Sequence, residues 1–327
     1  MNILFIGGTG TISLDVSKEV IKRGHSLTLL RRSNTPIEGL EKANTIQCDI
    51  NDTLNVKKAL DAKFYDAIVD FIAFNEDDIE RDYELFKGKT HHYIFISSAS
   101  GYQKPIPYLP VKETIPFDNK YWDYSQNKAK AEKRLFNIKD KTFNVTAIRP
   151  SHTYDDDKIV APFNSDSAPY TLIDRILNGK SIVIPMEGTS KWTLTHSKDF
   201  AKAFVDILGN KQAYNDYFHL TSHFTYTWNE IIKALFDALD QPYNIKHVSL
   251  EVLLEYFPSL KGPLLGDKLH DMVLDNQKIR NIAPSYQSII DYKTRINTIV
   301  KSYLEDESLQ TVDHAFDQTL DELVKLL

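Results

Sequence analysis

The sequence predicts an α/β protein built on a doubly wound parallel sheet and completed by a smaller C-terminal domain. Strand-like and helix-like segments alternate through the first half of the chain, and the strand-like segments are continuous apolar runs. Such alternation is typical of βαβ units, and continuous apolar strands indicate a sheet covered by helices on both faces. The 327 residues are enough for one large or two modest domains.

The alternating elements extend as far as Pro150. Strands are predicted at residues 2–6, 26–30, 45–48, 66–72, 92–97 and 144–148. Helices are predicted at residues 12–23, 53–62, 76–86 and 125–136. Parallel strands need crossover connections of about a dozen residues or more, and these helices supply them.

After Pro150 the alternation is lost, beginning with a polar segment that carries Asp155, Asp156 and Asp157. We interpret this cluster as a surface loop, not as a metal site. Further elements are predicted as helices at 170–177, 199–208 (with Ser197 as N-cap) and 228–239, and as strands at 182–184 and 217–220. We expect residues 1–152 and about 190–225 to form the sheet domain. Residues of about 153–189 and 226–327 would then cover the carboxyl edge of the sheet, where such folds bind ligands.

Charge and composition narrow the class of protein. The net charge is −6 and the lysines and arginines are scattered, which makes nucleic acid an unlikely partner because backbone binding needs a basic patch. Cys48 is the only cysteine, so no intrachain disulfide can form. With no apolar run long enough for a membrane span and no signal segment before the first strand, we expect a cytoplasmic protein.

A glycine-rich turn joins the first strand to the first helix and predicts a dinucleotide site. A glycine at the start permits the tight turn, a later one lets the backbone approach a pyrophosphate, and amides at the helix start face the phosphates. The predicted contacts are Gly7, Thr9, Gly10, Thr11 and Ile12.

The end of the second strand bears on the choice of dinucleotide. Many such folds have an acidic residue there to hold the ribose diol, whereas this chain has Arg31 followed by Arg32. Since arginine can clamp a 2′-phosphate, we predict NADP in preference to NAD; the alternative is two solvated arginines. Asp49 could accept a hydrogen bond from the adenine amine or cap the next turn. Ile50 and Phe71 complete the predicted cofactor contacts.

Tyr124 and Lys128 are four residues apart on a predicted helix and therefore share one face. An ammonium and a cationic nicotinamide would both favour tyrosinate, so Tyr124 could move a proton on a substrate hydroxyl while hydride passes to or from the nicotinamide. Ser98 ends a strand at the carboxyl edge, and its hydroxyl could orient the substrate oxygen. The alternatives are a chance tyrosine–lysine spacing and a serine that caps a turn.

The glycine turn, Ser98 and the tyrosine–lysine pair, in this order, resemble the short-chain dehydrogenase/reductase superfamily. Segments 95–102, 149–154, 188–199 and 275–278 are similar to its extended branch, the NAD-dependent epimerase/dehydratase family. The resemblance implies a Rossmann fold, Tyr124 and Lys128 as catalytic residues that also contact the cofactor, and a homodimer formed through the helix of residues 124–136. It also implies transient oxidation of a sugar carbon, or carbonyl reduction.

Two positions depart from the family pattern and bear on the substrate. The family usually has asparagine where this chain has His152, and a phosphate-binding arginine where it has Trp192. Tryptophan cannot neutralise a diphosphate, although Lys191 or Arg175 could. We predict His152, Trp192 and Ser100 as substrate contacts.

Three functions remain open. The first is an oxidoreductase or epimerase acting on a hydroxyl or keto group of a sugar or sugar-nucleotide-like substrate. The second is an NADP-dependent reductase of a small carbonyl compound. The third, suggested by a similarity to the branch that includes chloroplast stem-loop RNA-binding proteins, is a catalytically quiet, nucleotide-bound RNA-binding or regulatory protein.

Overall fold

The computed structural model describes residues 1–327 and contains twelve strands in three sheets. The strands are β1 (Asn2–Ile6), β2 (Ser26–Arg31), β3 (Asn44–Gln47), β4 (Ala67–Asp70), β5 (His92–Ile96), β6 (Asn144–Arg149), β7 (His152–Tyr154), β8 (Ile182–Pro185), β9 (Lys191–His196), β10 (Asp216–His219), β11 (Thr225–Thr227) and β12 (Ile245–Val248). The largest sheet has seven strands in the order β3-β2-β1-β4-β5-β6-β10. Every pairing in it is parallel, which confirms the predicted doubly wound sheet with Rossmann strand order.

Helices connect these strands and extend beyond them to the C-terminus. They are α1 (Ser13–Lys22), α2 (Thr53–Ala59), α3 (Glu76–Phe86), α4 (Asp123–Phe136), α5 (Thr171–Leu177), α6 (Ser197–Val205), α7 (Trp228–Ala238), α8 (Leu250–Tyr256), α9 (Lys261–Pro263), α10 (Gln277–Arg280), α11 (Tyr292–Glu305) and α12 (His314–Val324). The predicted N-cap of α6 is wrong by one residue. His196 is the cap, because its Nδ1 accepts from the amide of Lys198 at 3.1 Å, and Ser197 is already helical. No helix is long and apolar enough to cross a membrane.

Both faces of the large sheet are buried, because side chains alternate along each strand and helices lie on each side. On β1, Ile3 and Phe5 belong to the core that includes Phe200 and Phe204 of α6. Leu4 and Ile6 belong to the core on the other face. This two-sided burial accounts for the continuous apolar runs of the sequence.

The rest of the chain forms a separate core beside the carboxyl edge of the sheet. A three-stranded sheet has the order β11-β9-β7, and β8 pairs with β12 in a two-stranded sheet. A core of 30 buried residues, which includes Trp192 and Trp228, packs around the three-stranded sheet. The predicted boundaries between the domains stay a prediction. Within the segment assigned to the sheet domain, β10 joins the large sheet, whereas β9 does not.

Candidate functional site

The glycine turn after β1 contains glycines that are required for different reasons. Gly7 and Gly8 have φ of +88° and +94°, a region that side chains rarely tolerate. A Cβ on Gly8 would also lie 2.6 Å from Leu29 Cδ2, whereas a Cβ on Gly10 would meet only Ser13 Oγ, at 3.7 Å. Since neither packing nor backbone conformation requires Gly10, its open side fits the close approach of a ligand.

The start of α1 offers free amides next to that opening. The backbone N–H groups of Thr11 and Ile12 have no acceptor within the chain, and no side chain caps the helix. Unpaired amides at a positive helix end suit a phosphate group. The glycine turn and the start of α1 therefore fit the pyrophosphate of a dinucleotide at the position that the sequence predicts.

Two cavities lie on either side of this turn. We call the first the arginine cavity; its volume is about 480 Å³ and its lining includes Gly7, Thr9, Arg31, Asp49 and Ile50. We call the second the tyrosine cavity; its volume is about 400 Å³ and its lining includes Thr11, Ile12, Phe71, Ser98, Tyr124 and Lys128. All the predicted cofactor contacts except Gly10 thus line one of the two cavities.

In the arginine cavity, the guanidinium group of Arg31 is only partly hydrogen-bonded within the chain. Its Nη2 donates to the carbonyl of Thr35 at 2.9 Å, while its buried Nε–H has no partner. The Asp49 carboxylate accepts from the amide of Asn51 at 2.9 Å, so it serves the turn after β3 while its exposed side chain still faces the cavity.

The tyrosine cavity brings together the three predicted catalytic residues. Ser98 follows the carboxyl end of β5 and caps a short turn, Ala99–Gly101. Tyr124 lies in the first turn of α4, and Lys128 follows one helical turn later. Residues separated by 26 positions in the sequence therefore share one wall at the carboxyl edge of the sheet.

The ammonium of Lys128 is fixed by two backbone carbonyls. Its Nζ donates to Ala73 O and to Ile96 O, each at 2.8 Å, so the lysine joins the chain just after β4 to the last residue of β5. Lysine has three N–H donors, so one is left for a ligand. Burial lowers the pKa of Lys128 to about 8, although the negative charge of Asp70 acts in the opposite direction.

Aromatic rings surround Tyr124. Its ring lies 5.0 Å from that of Phe74 and 4.7 Å from that of Trp122. Burial raises the pKa of the phenol; a hydrogen bond with Ser98 lowers it, and the charge of Asp267 raises it. The predicted lowering by Lys128 and a nicotinamide cation concerns the cofactor-bound site and stays a prediction.

A row of hydroxyl groups supports Ser98. Its Oγ lies 2.9 Å from Ser100 Oγ, which in turn accepts from Ser125 Oγ of α4 at 2.8 Å. Ser100 lines the cavity, but both of its hydroxyl contacts are to other serines. Its predicted role as a substrate contact stays a prediction, and its observed position ties the Ser98 turn to the helix that carries Tyr124.

The other two predicted substrate residues lie on a wall that strands outside the large sheet provide. His152 on β7 and Trp192 on β9 both line the tyrosine cavity, and Trp192 is only 2% exposed. Lys191 and Arg175, the two candidates for neutralising a diphosphate, do not line it. Lys191 is exposed at the start of β9, and Arg175 is buried in ion pairs with Asp317 and Asp321.

Sequence reasoning missed four residues of this wall: Lys158, Asp267, Lys268 and Met272. The last three lie in the C-terminal part of the chain. A parallel β-bridge between Trp192 and Met272 joins this part to the cavity wall. A contact across 80 residues leaves no local pattern, so no sequence signal could have identified them. The acidic segment did hold Lys158, but its neighbours suggested only a surface loop.

Comparison with known proteins identifies the family of this chain. The model of the NAD dependent epimerase/dehydratase family matches residues 3–218. The chain belongs to this family. The chloroplast stem-loop binding protein of 41 kDa b from Arabidopsis thaliana is 30% identical over 245 residues, which cover 71% of this chain and 61% of that protein. The matched region thus spans less than two thirds of the plant relative.

Solved structures of several epimerases share the fold of this chain. UDP-N-acetylglucosamine 4-epimerase from Methanobrevibacter ruminantium M1, in complex with UDP-N-acetylmuramic acid, is 21% identical with a TM-score of 0.71, over 93% of this chain and 98% of that one. UDP-glucose 4-epimerase from Bifidobacterium longum, in complex with NAD⁺ and UDP, is 15% identical with a TM-score of 0.72, over 94% and 99%. At these identities the likeness establishes the fold alone.

Proposed function

We propose that this family member is an NAD(P)-dependent oxidoreductase or epimerase that acts at a hydroxyl-bearing carbon of a sugar or sugar-like substrate. The observation that carries the proposal is the tyrosine cavity, which holds Ser98, Tyr124 and Lys128 beside the free amides of α1. The proposed cofactor site and the proposed acid/base group therefore open into one cavity, as hydride transfer with proton transfer requires.

A bound nicotinamide would supply the hydride acceptor or donor, which no side chain can provide. The turn residues from Gly7 to Ile12 would hold the pyrophosphate, and the remaining N–H of Lys128 would hold the ribose. Phe71 would provide an apolar surface, since its ring packs at 5.0 Å from Phe5 and at 5.9 Å from Phe204.

Tyr124 is the proposed acid/base. As tyrosinate it accepts the proton of a substrate hydroxyl when the carbon is oxidised, and as phenol it returns that proton when the carbonyl is reduced. Ser98 orients the same oxygen through its hydroxyl, which Ser100 and Ser125 hold in place. An epimerase would perform both directions in one turnover, whereas a reductase would perform only the second.

We further propose that the cofactor is NADP. Arg31 and Arg32 line the arginine cavity, and the buried Nε–H of Arg31 has no partner in the chain. A 2′-phosphate would satisfy this donor and offset the two positive charges. Asp49 would contact the adenine, and Ile50 would pack beside it.

The acid/base role is tested by Tyr124→Phe. The protein would be incubated with NADP⁺ or NAD⁺ and a panel of sugars and sugar nucleotides. Formation of reduced cofactor would be followed by absorbance, and isomerisation by chromatography of the sugar. We expect turnover to fall about 100- to 10,000-fold, with cofactor affinity retained.

Tyr121→Phe is the matched control, because Tyr121 lies three residues earlier and is 51% exposed. This control should keep full activity. Full turnover by Tyr124→Phe on a substrate that the unaltered protein converts would refute the mechanism. Stoichiometric consumption of cofactor would identify a reductase, and turnover without consumption an epimerase.

RNA binding remains a rival function because the plant relative is named for stem-loop binding. The net charge of −6 counts against it. A titration with stem-loop RNA at ~50 mM salt decides, since electrostatic binding is strong at low salt. We also expect a homodimer through α4, which a sedimentation measurement would test.

A further inference from the structure

The wall of the tyrosine cavity opposite the catalytic residues carries an unusual set of donors. Lys158, Lys268 and His152 all line it. Neither lysine has a carboxylate oxygen within 4.0 Å, although the chain forms many other ion pairs, such as Arg175 with Asp317. Lys158 is exposed, whereas Lys268 is partly buried and lies over the rings of Trp192 and Trp228, at 4.7 and 5.3 Å from their centroids. These rings offset part of the cost of burying an ammonium without a paired anion, and a ligand of opposite charge would offset more of it.

Lys268 is held in place through its backbone. It ends a five-residue π-helical segment, Leu264–Lys268, and π-helical turns often mark functional sites. Its carbonyl oxygen accepts from the indole N–H groups of Trp192 at 3.3 Å and Trp228 at 2.9 Å, and from Ser190 Oγ at 2.9 Å. Three donors bind this one carbonyl oxygen, so the backbone from which the Lys268 side chain extends is held in place.

The side chain of Lys268 determines which nitrogen of His152 faces the ligand. Lys268 Nζ lies 2.9 Å from His152 Nδ1 and, as an ammonium, can only donate. Nδ1 is therefore the acceptor, and the proton of the neutral ring resides on Nε2. Nε2 is buried and has no partner in the chain, so it is an unsatisfied donor at the cavity wall.

One carboxylate also lines this wall, and its charge must be counted. Asp267 is buried beside Lys268, and it acts electrostatically on both Lys268 and Lys104. Lys104 is itself buried, with Nζ 3.0 Å from Met272 Sδ. Lys158 has its own acidic neighbours, Asp155 and Asp166, but neither of them lines the cavity. Within the lining of this wall the charges are therefore those of Lys158, Lys268 and Asp267, which leaves a positive excess.

We propose that Lys158, Lys268 and the Nε2–H of His152 form a subsite for an anionic group, a carboxylate or a phosphate, that the sugar-like substrate itself carries. This inference rests on the proposed function, because it places the anion beside the carbon that Tyr124 serves. It adds a charged, compact substrate class to that function.

The tryptophans favour a compact substrate over a nucleotide. Trp192 and Met272 close the wall next to Lys268 and are almost fully buried, and Trp228 packs behind them with its ring 5.4 Å from that of Trp192. The space on this side is therefore filled by protein. A carboxylate or phosphate carried by the sugar itself, as in glucuronate or glucose 6-phosphate, would reach the subsite without the channel that a nucleotide would need.

The test is a calorimetric titration of the protein, in excess NADP⁺, with four probes: glucose, glucuronate, glucose 6-phosphate and UDP-glucose. We expect glucuronate or glucose 6-phosphate to bind at least tenfold more tightly than glucose, and the tighter of the two identifies the anion. Lys268→Met should remove this difference while retaining the length of the side chain.

Two further variants keep the test decisive. Lys158→Met should reduce the same difference, and because Lys158 is solvent-accessible this variant does not disturb the tryptophan packing. Lys261→Met, an exposed lysine in the same C-terminal segment, should change nothing. Equal binding of glucose and both anionic sugars would overturn the proposal, as would discrimination that survives both cavity variants. Tighter binding of UDP-glucose that depends on Lys268 would also overturn it, because the anion would then belong to a nucleotide.

Tyr124→Phe separates this inference from the proposed function. The variant should lose turnover but keep the preference for anionic probes. If the preference is present while no probe or panel compound is ever oxidised, reduced or isomerised, the proposed function fails and the subsite stands. If turnover occurs on a neutral sugar with no preference, the subsite fails and the proposed function stands.

Discussion

The arginine cavity and the tyrosine cavity share the glycine turn but are assembled in different ways. The lining of the arginine cavity comes entirely from residues 7–72, at the ends of consecutive βαβ elements. The lining of the tyrosine cavity runs from Thr11 to Met272 and includes segments outside the large sheet. The proposed cofactor side is therefore determined by local sequence, whereas the proposed substrate side depends on long-range contacts.

The substitution with the largest expected effect is one that weakens cofactor binding and leaves substrate binding unchanged. In Gly10→Ala the new Cβ would occupy the open side of the turn without a clash, since its nearest neighbour, Ser13 Oγ, lies at an ordinary contact distance of 3.7 Å. We expect the affinity for NADP to fall about 100-fold, roughly 2.7 kcal/mol, with no loss of folding stability. Calorimetry and urea unfolding would measure the two quantities.

Gly8→Ala is the comparison variant for that experiment. Its φ of +94° and a Cβ 2.6 Å from Leu29 Cδ2 should lower the free energy of unfolding by about 1–3 kcal/mol. If Gly10→Ala unfolds as readily as Gly8→Ala, then Gly10 serves the fold and not a ligand.

A smaller effect is expected from a substitution that weakens substrate binding and leaves cofactor binding unchanged. A Cβ on Gly266 would lie 2.7 Å from Trp122 Cβ, so in Gly266→Ala either Trp122 or the π-helical segment that carries Lys268 must shift, and both line the tyrosine cavity. We expect binding of the preferred anionic sugar to weaken about tenfold or more, while NADP affinity is unchanged. Loss of both affinities would show that the two cavities are coupled and would contradict the view that they are assembled independently.

Within the arginine cavity, Arg31→Ala should reduce the preference for NADP over NAD about tenfold, because one charge-assisted pair to the 2′-phosphate is lost. NAD affinity should stay constant. Arg32→Ala is the matched variant, since Arg32 is exposed at the rim of the same cavity. A preference that survives both substitutions would contradict the assignment.

The smallest expected effect is a pH dependence confined to the tyrosine cavity. Burial lowers the pKa of Lys268 to about 8; Asp267 raises it and Lys158 lowers it. The ammonium is present below this pKa and is lost above it, so affinity for the anionic sugar should fall about fourfold from pH 7 to pH 8.5. Burial holds the pKa of His152 well below its ordinary value, so its ring stays neutral throughout. Lys268→Met should reduce this slope, leaving the contribution of Lys128, whose pKa is also lowered to about 8 in the same cavity. An unchanged slope in Lys268→Met would contradict the prediction.

The same contrast explains how much the sequence could predict. The seven-stranded sheet, the turn from Gly7 to Ile12 and the shared wall of Ser98 and Tyr124 follow from short-range patterns, because strand ends and helix faces place them. Four short strands escaped prediction: β7, β9, β11 and β12. They have three to six residues each and gain their stability from tertiary packing around Trp192 and Trp228.

The electrostatics of the site were equally hidden. Lys128 was expected to act on Tyr124, but its position is fixed by the carbonyls of Ala73 and Ile96, which no side-chain pattern reveals. Lys268 was not anticipated at all, because its proximity to His152 spans 116 residues. Local spacing predicted which groups could do the chemistry, and only the folded chain shows which charges surround them.

The anchored carbonyl of Lys268 has a consequence for how this protein could diversify. Trp192, Trp228 and Ser190 fix the backbone of this position, whatever side chain it carries. A single codon change there would alter the charge at the proposed anion subsite, while the large sheet and its glycine turn kept their sequence. Substrate choice could thus evolve at one position of a constant framework, without a new fold and without a change in the proposed cofactor site.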